Sequence, residues 1–277
     1  MKPLLGLLNH ELNAHLQVID HPSFNQMFTG FSVKYQTAVF VKVFAATRVE
    51  KFAMERSVNQ QLSDRVLTSW RLADGRAVLV MQDLDLTPLP ALTPALVTQM
   101  GRTLCQFHQT VQLATGPVAP NDRFIRTADR LARLHECAGY PRWQRYYNWF
   151  MDYRVQLNSA LLRQPVVSLH GDFGVRNCRY CDGRLILIDF ERVKPGIAQE
   201  DVVKFFQQDL NGRSDLIQAF WNGYGASAVL DRLAVAWLDF DCALGIMTYV
   251  QQRPDPAFET VGQRLIGAVN RMVAGQK

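Results

Sequence analysis

The chain has 277 residues, of which 48% are hydrophobic and 10% aromatic, enough to bury a sizeable core. Its formal net charge of +5 is modest, and no apolar stretch approaches the length of a membrane span. The leucine-rich run at residues 4–8 is too short for the core of a signal peptide. The five cysteines are odd in number and scattered, which argues against a disulfide framework and predicts reduced thiols in a cytoplasmic setting.

The first part of the chain is β-prone. Phe24–Tyr35 predicts two strands joined by a turn at Thr29-Gly30, and Ala38–Phe44 predicts a third strand. Apolar side chains then recur at helical spacing over residues 48–62, which predicts a helix after the third strand.

A hairpin at Trp70–Gly75 and an apolar strand at Ala77–Leu84 follow, and Leu86–Pro94 has the proline density of a connector. Helical patterns dominate the rest of the chain, and it contains no internal repeat or low-complexity segment. These patterns lie at about residues 123–136, 143–162, 199–209, 213–224, 230–250 and 260–274.

The most informative motif lies between these helical patterns. A β-prone run at Pro165–Leu169 leads toward Asp172, and an apolar run at Leu185–Ile188 ends at Asp189. The Asp-Gly dipeptide at residues 182–183 predicts a turn between strands. We therefore expect the loop after Asp172 to lie at the end of a buried hairpin, with Asp189 leaving its second strand.

Asp172 and Asn177 have the spacing of a kinase catalytic loop, in which the Asp takes the proton of the substrate hydroxyl and the Asn binds magnesium. Asp189 stands where kinases place a second carboxylate for the same metal. We predict all three as catalytic residues, Asn177 and Asp189 as metal ligands, and Mg²⁺ with ATP or GTP as the phosphoryl donor. The alternative is a buried hairpin with incidental polar residues.

A kinase also needs a Lys on a strand, held by a Glu on the following helix. Lys42 and Glu55 are predicted to fill these positions. Glu50 is the competing candidate, but it lies in the first helical turn, where the helix dipole alone explains a carboxylate. The alternative is an ordinary strand whose Lys42 faces solvent.

Further nucleotide contacts are expected on both sides of Lys42. The turn at Thr29-Gly30, with Ser32 beside it, would lie over the phosphates. The backbone at Gln82 and Leu84, where the strand enters a hinge, would bind the adenine base. A plain hairpin turn explains Gly30 equally well.

These motifs resemble those of the aminoglycoside phosphotransferase and choline kinase group, the small-molecule branch of the protein-kinase-like fold. That group carries H-G-D-x-x-x-x-N and I-D-F motifs, which here are Leu169–Asp172 with Asn177, and Ile188–Glu191. Met100–His108 resembles the group's helix after the hinge, and Glu200–Phe206 resembles the helix whose Asp braces the catalytic loop.

The resemblance covers roughly residues 20–225 and implies an α+β, protein-kinase-like bilobed fold. Residues 1–82 would form a small β-rich nucleotide-binding lobe, and residues 83–277 the hinge and a larger helical lobe with the catalytic loop and acceptor site. The implied partners are a nucleoside triphosphate and a small hydroxylated acceptor, with no nucleic acid and no membrane.

Gly171 and Glu191 depart from the patterns of protein kinases, and Arg176 is less usual for the small-molecule group. Gly171 replaces the Arg that in many protein kinases pairs with an activation-loop phosphate, and no A-P-E segment follows, so we expect no control by loop phosphorylation. Glu191 replaces the Gly of D-F-G. Arg176 either steers a phosphate group or forms a salt bridge that stabilises the loop.

Two other groups of residues have competing interpretations. Cys178 and Cys181 have a metal-like spacing, but no second pair matches it, so we reject a zinc site. Six aromatic residues at positions 143–153 form either a cage for a quaternary ammonium group or part of the core. Four of them, Tyr146, Trp149, Phe150 and Tyr153, share a helical face, which favours the core.

The acceptor is the hardest feature to predict. The basic balance argues mildly against a polycationic aminoglycoside. Asp209, Asp215, Asp239 and Asp241 could nevertheless line an acidic groove, with solvated helix faces as the alternative. The leading interpretation is an O-phosphotransferase, dependent on ATP or GTP and magnesium, that acts on a small hydroxylated metabolite or antibiotic. The alternatives are a kinase of a membrane-linked sugar, such as a lipopolysaccharide core residue, and a non-catalytic nucleotide-binding relative.

Overall fold

The computed structural model describes residues 2–20, 24–113, 121–225 and 230–275. Two compact units are present: Met1–Pro88 with Arg179–Val193, and Leu89–Cys178 with Lys194–Lys277. The strands are β1 (Ala14–Val18), β2 (Gln26–Ser32), β3 (Thr37–Phe44), β4 (Val66–Arg71), β5 (Ala77–Gln82), β6 (Val166–Leu169), β7 (Cys178–Cys181), β8 (Arg184–Leu187) and β9 (Lys194–Ile197). The helices are α1 (Lys2–Leu12), α2 (Val49–Leu62), α3 (Pro94–Thr110), α4 (Asn121–Arg133), α5 (Tyr140–Asp152), α6 (Arg154–Leu162), α7 (Gln199–Gln208), α8 (Ser214–Tyr224), α9 (Arg232–Gln252) and α10 (Pro256–Ala274).

The first unit is built on an antiparallel sheet with the strand order β1-β2-β3-β5-β4. Because side chains alternate along a strand, Val39, Val41 and Val43 of β3 face the leucines of α1. Phe44, on the opposite face, packs with Phe52 of α2. The same alternation directs the neighbouring Lys42 toward α2.

The predicted turn at Thr29-Gly30 is wrong, because both residues lie in the middle of β2. Gly30 pairs with Leu16 of β1, and a Cβ atom on Gly30 would lie only 2.2 Å from the backbone oxygen of His15. The glycine therefore permits a close approach of two strands, which the sequence pattern cannot distinguish from a turn. The chain instead turns at residues 33–36, and the elements α1 and β1 were not predicted.

The predicted turn at Asp182-Gly183 is confirmed, with φ angles of 49° and 73° between β7 and β8. The strand before the loop, β6, pairs with β9 and not with this hairpin. The loop after Asp172 ends at Asn177, directly before the first strand of the hairpin, and Asp189 follows its second strand, as predicted. The predicted division into residues 1–82 and 83–277 is continuous, whereas the structure groups residues 179–193 with the N-terminal strands. A backbone bridge between Thr87 and Tyr180 contributes to this grouping.

The second unit is mostly helical and packs around α9. Trp143, Tyr146 and Phe150 of α5 are buried in this core, which settles the aromatic positions at 143–153 in favour of packing. The helix predicted at 143–162 is two helices, α5 and α6, that meet at Tyr153. By length and composition alone, α9 could cross a membrane, but 56% of its most apolar stretch is buried inside the fold, as is common for a core helix. The α+β prediction is thus confirmed, with a sheet in the first unit and helices in the second.

Candidate active site

A cluster of charges surrounds Lys42 in the first unit. The Lys42 Nζ atom lies 2.7 Å from Glu191 Oε1, 2.9 Å from Asp189 Oδ1 and 3.6 Å from Glu55 Oε1. Lys42 is 5% exposed and Glu55 3%, so water screens this pair only weakly. We call these four residues the lysine cluster.

The structure confirms the choice of Glu55 over Glu50. Phe52, Glu55 and Val58 lie on the buried face of α2, whereas Glu50 is exposed. Glu55 therefore reaches Lys42 because its position on the helix matches the face that packs against the sheet. Its helix begins at Val49, one residue after the predicted start.

Burial and the charges within the lysine cluster shift the pKa values of Lys42 and Glu55. Burial by itself would lower the pKa of Lys42, but Glu55, Asp189 and Glu191 outweigh it and raise that pKa above its usual value. Burial raises the pKa of Glu55; Lys42 opposes the rise, and the charges on Asp189 and Glu191 add to it. The ammonium group is thus held firmly charged among carboxylates that repel one another.

Glu191 is a member of the cluster that the sequence did not predict as a site residue. Its carboxylate accepts hydrogen bonds from Arg48 Nη2 and Asn25 Nδ2, in addition to pairing with Lys42. The Arg48 guanidinium also lies 4.8 Å from the ring centre of Phe24. No local signal indicates these contacts, because the partners of Glu191 lie more than 140 residues away in the chain.

Asp189 has an unusual backbone. Its φ angle is 67°, in the left-handed region that residues other than glycine rarely adopt. Its side chain is 45% exposed while one oxygen contacts Lys42, which leaves the carboxylate accessible to a ligand. Strained backbone of this kind is concentrated at functional sites.

The three residues of β2 that were predicted to contact the nucleotide make other contacts in the structure. The Ser32 hydroxyl is fully buried and donates to the Leu12 carbonyl oxygen at 2.6 Å, which argues against a phosphate contact by Ser32. Thr29 Oγ1 donates to the Asp83 carboxylate, and Gly30 faces β1. These contacts follow from the position of both residues inside the strand.

The two predicted hinge residues, Gln82 and Leu84, lie at the end of β5 and just beyond it. Gln82 is the last residue of β5, and its N–H donates to the Arg65 carbonyl oxygen at 2.8 Å. Leu84 lies two positions beyond it and is half-buried. Binding of adenine by Gln82 and Leu84 stays a prediction.

In the second unit, a buried carboxylate braces the loop that follows β6. Asp201 accepts hydrogen bonds from the backbone N–H groups of His170 and Gly171, each at 2.7 Å. The His108 ring contacts the same carboxylate at 3.0 Å and the Tyr224 hydroxyl at 2.7 Å. The predicted bracing role of the helix that carries Asp201 is therefore confirmed.

The braced loop presents Asp172 between two cations. Asp172 is 4% exposed, and its two carboxylate oxygens pair with Arg176 and Lys204. The φ angle of 77° at Gly171 explains why a glycine precedes it. Of the two interpretations of Arg176, the structure shows the salt bridge.

Lys204 was not predicted as a site residue. It lies three positions after Asp201 on α7, so both side chains project from one helical face toward the loop. That spacing is the one signal in the sequence that indicates Lys204. Asp209, beyond it, accepts a hydrogen bond from the Val175 N–H at 3.2 Å, and burial raises the pKa of Asp209.

The predicted metal ligands have suitable chemistry. Asn177 donates its amide N–H to the Asp172 carbonyl oxygen at 2.8 Å, which leaves the amide oxygen for a cation. An amide oxygen and an accessible carboxylate, such as that of Asp189, are each the kind of hard ligand that Mg²⁺ prefers. Within the described ranges no group of three or more His, Cys, Asp or Glu residues is placed to bind a metal ion, and none of the five cysteines, all of which lie in those ranges, forms a disulfide.

Protein-kinase-like phosphotransferases are defined by three features. These are a Lys–Glu pair on a strand and the following helix, an Asp on a loop with a fixed backbone, and a second Asp further along the chain. Residues 30–238 match the profile of the phosphotransferase enzyme family known as APH. The chain therefore belongs to this family, whose members transfer a phosphoryl group to a hydroxyl acceptor. A search of curated proteins found no match.

Solved structures share the fold at low sequence identity. The choline kinase LicA from Streptococcus pneumoniae is 16% identical, with 98% of each chain covered and a TM-score of 0.67. A protein from Ralstonia eutropha that has been assigned as an aminoglycoside phosphotransferase is 14% identical, with 97% of this chain and 95% of that chain covered and a TM-score of 0.64. A thermostable mutant of aminoglycoside phosphotransferase APH(4)-Ia, solved with ADP and hygromycin B, is 14% identical, with 96% and 98% covered and a TM-score of 0.61.

Proposed function

We propose that this protein transfers the γ-phosphoryl group of ATP or GTP to a hydroxyl group of a small metabolite or antibiotic. The observation that carries this proposal is the braced loop, in which Asp201 fixes the backbone next to a buried Asp172. The complexes of related structures with ADP and hygromycin B, and of LicA with AMP, support a nucleotide donor and a hydroxylated acceptor.

Asp172 acts as the base in the proposed reaction. The acceptor oxygen attacks the γ-phosphorus while Asp172 takes the proton of the acceptor hydroxyl. The bond from the γ-phosphorus to the bridging oxygen breaks, so the products are a phosphate monoester and the nucleoside diphosphate. Arg176 and Lys204 orient the carboxylate of Asp172 before the acceptor arrives.

The other predicted residues bind the nucleotide. Lys42 contacts the α- and β-phosphates, and Glu55 keeps its ammonium group oriented. Asn177 and Asp189 would hold Mg²⁺, which neutralises charge on the phosphate oxygens when it is bound. Gln82 and Leu84 bind the base through their backbone groups.

The experiment is a phosphotransfer screen across amino-alcohols, aminoglycosides, sugars and nucleosides, with ATP and with GTP. Asp172→Ala should lower turnover on any accepted substrate by about 10²–10⁴-fold, the usual range for a general base, while nucleotide affinity is retained. Asp215→Ala is the matched control, because Asp215 is exposed and pairs only with Arg213 among the described residues. Near-normal turnover by Asp172→Ala would remove Asp172 from the proposed role.

The second candidate is a kinase of a membrane-linked sugar, favoured by several arginines on α4. Such an enzyme should bind anionic vesicles in a salt-sensitive manner. Binding that is insensitive to salt, or no binding, would contradict this second candidate and leave the first one standing.

A further inference from the structure

A group of basic side chains lies in the second unit, next to the catalytic loop. Its four cations surround two carboxylates, and we call the six residues the basic cluster. They are Arg123, Arg126 and Arg130 of α4, Lys194 of β9, Glu200 of α7 and Asp241 of α9. The cluster therefore has more positive than negative charge.

The arginines are fixed in place by the two carboxylates. Arg130 Nη1 lies 2.8 Å from Asp241 Oδ1, and Arg126 Nη2 lies 3.1 Å from Asp241 Oδ2. Arg123 Nη2 lies 2.8 Å from Glu200 Oε1. Asp241 also accepts a hydrogen bond from Thr127 at 2.7 Å. A cluster so ordered loses little conformational entropy when it binds a ligand.

Donor groups remain unused in this arrangement. Arg123 Nη1 and Arg126 Nε are buried and have no hydrogen-bond partner among the described residues. The Arg123 side chain is 8% exposed, so its unused donor is desolvated within the fold. Lys194 forms none of the ion pairs found in the described part of the chain. Unpaired buried donors are costly, and an anionic group would satisfy them.

The basic cluster adjoins the base of the proposed reaction. Glu200 immediately precedes Asp201, the brace of the catalytic loop, and Lys204 on the same helix pairs with Asp172. Burial and then Asp241 raise the pKa of Cys242 to about 12, and both Lys204 and Arg130 lie near enough to lower it. Arg130 also contacts α9 directly, through Asp241.

The cluster is also open to a ligand. The side chains of Arg126 and Arg130 are 36% and 29% exposed. They line a shallow surface hollow of about 330 Å³ together with Ile125, Asp129 and Arg133. A small anion can reach the guanidinium groups there without unfolding the helix.

We propose that the basic cluster binds an anionic group, a phosphate ester or a carboxylate, on the hydroxylated acceptor. This inference rests on the proposed function, because it assigns the acceptor class of the same site. Arginine presents a fork of donors that matches both anions, and charge-assisted bonds of this kind are the strong ones. A cationic acceptor such as choline would be repelled by the same groups.

A matched series of acceptors tests this assignment. The series consists of myo-inositol, myo-inositol 1-phosphate, phosphatidylinositol vesicles and choline, each assayed with ATP. The phosphorylated inositols should have a kcat/KM roughly 10-fold to 100-fold above that of inositol, the usual gain from a charged hydrogen bond. A preference for the vesicles indicates a membrane-borne acceptor, and a preference for the free phosphate a soluble one. Choline or inositol as the better acceptor would overturn the proposal.

Variants test whether the basic cluster causes the preference for a phosphorylated acceptor. Lys194→Gln should raise KM for myo-inositol 1-phosphate about tenfold, with no change in KM for ATP or for inositol. Arg126→Gln should act in the same direction, and Arg145→Gln, an exposed charge on α5, is the control that should change nothing. An equal effect of Lys194→Gln on charged and neutral acceptors would contradict the assignment.

A binding measurement separates this inference from the proposed function. Inorganic phosphate, titrated without nucleotide, should protect the wild-type protein from thermal unfolding and protect Lys194→Gln less. If no acceptor is phosphorylated in this series or in the wider phosphotransfer screen, but this difference is seen, the proposed reaction fails and the anion site stands. Equal protection of both proteins, or none, removes the anion site.

Discussion

The lysine cluster of the first unit and the catalytic loop of the second hold their charged groups in different ways. Lys42 is held by three carboxylate side chains that come from α2 and from the segment after β8. Asp172 belongs to a loop whose backbone N–H groups are bonded to Asp201. The first arrangement depends on side-chain charges, and the second depends on the path of the backbone.

This difference predicts different tolerance to substitution. Carboxylates around one ammonium group partly replace one another, so the loss of one leaves the others in place. Backbone donors that share one buried acceptor lose both hydrogen bonds when that single side chain is replaced. The hold on the Lys42 ammonium group should therefore be the more tolerant of substitution, and the hold on the loop backbone the less tolerant.

Among the variants that test this comparison, the largest effect is expected at Asp189, which in the proposed function also holds Mg²⁺. Asp189→Ala should lower turnover by about 10²–10³-fold, because it removes charge stabilisation at the phosphates. Calorimetric titration with an ATP analogue should show that the variant has lost the magnesium dependence of binding. Asp64→Ala, at another exposed site of the first unit, is the control. If the response of affinity to magnesium stays at its wild-type size, Asp189 is not a metal ligand.

The next effect concerns the brace. Asp201→Asn keeps the shape of the side chain but places an N–H₂ group opposite backbone donors. We expect a loss of about 1–3 kcal/mol in the free energy of unfolding and a fall in turnover of roughly tenfold, as the loop loosens. Denaturant unfolding and kinetics measure the two quantities. A variant as stable and active as Asp215→Asn would show that the loop does not need its brace.

A smaller effect is expected within the lysine cluster. Glu55→Gln should raise KM for the nucleotide about threefold to tenfold, because the ammonium group loses one orienting charge, and the exposed Glu50→Gln should be neutral. Glu55→Gln combined with Glu191→Gln should cost more than the sum of the two single changes, because each carboxylate supports Lys42 when the other is absent. Strictly additive effects would contradict the claim that the carboxylates around Lys42 partly replace one another.

The smallest effect concerns Asp239, a half-buried carboxyl for which the described residues provide no ion pair or hydrogen bond. Burial raises the pKa of Asp239 to about 7, and Arg271 opposes the rise. The folded state then binds a proton that the unfolded state releases, so stability falls as pH rises from about 4 to about 7 and levels off above. Asp239→Asn should remove this fall and raise the unfolding midpoint at pH 8 by roughly a few degrees. A pH profile of thermal unfolding parallel to that of the wild type would contradict this.

The catalytic loop was the part of the site most accessible from the sequence. Asp172, Asn177 and the bracing helix lie on short motifs whose spacing is set by local backbone geometry. Glu55 was also predictable, because helical periodicity separates the buried face of α2 from its exposed one. Gly30 was misjudged because a glycine needed for close strand packing looks the same as a glycine in a turn.

The sequence by itself determined the class of reaction, the order of β-rich and helical regions, and the identity of the loop that carries Asp172. These features follow from local spacing and periodicity, which a single chain displays directly. Only the tertiary structure showed that Glu191 joins the lysine cluster, that Lys204 pairs with Asp172, and that arginines of α4 surround Asp241. Those contacts join residues that are distant in the chain, and packing of the folded elements decides them.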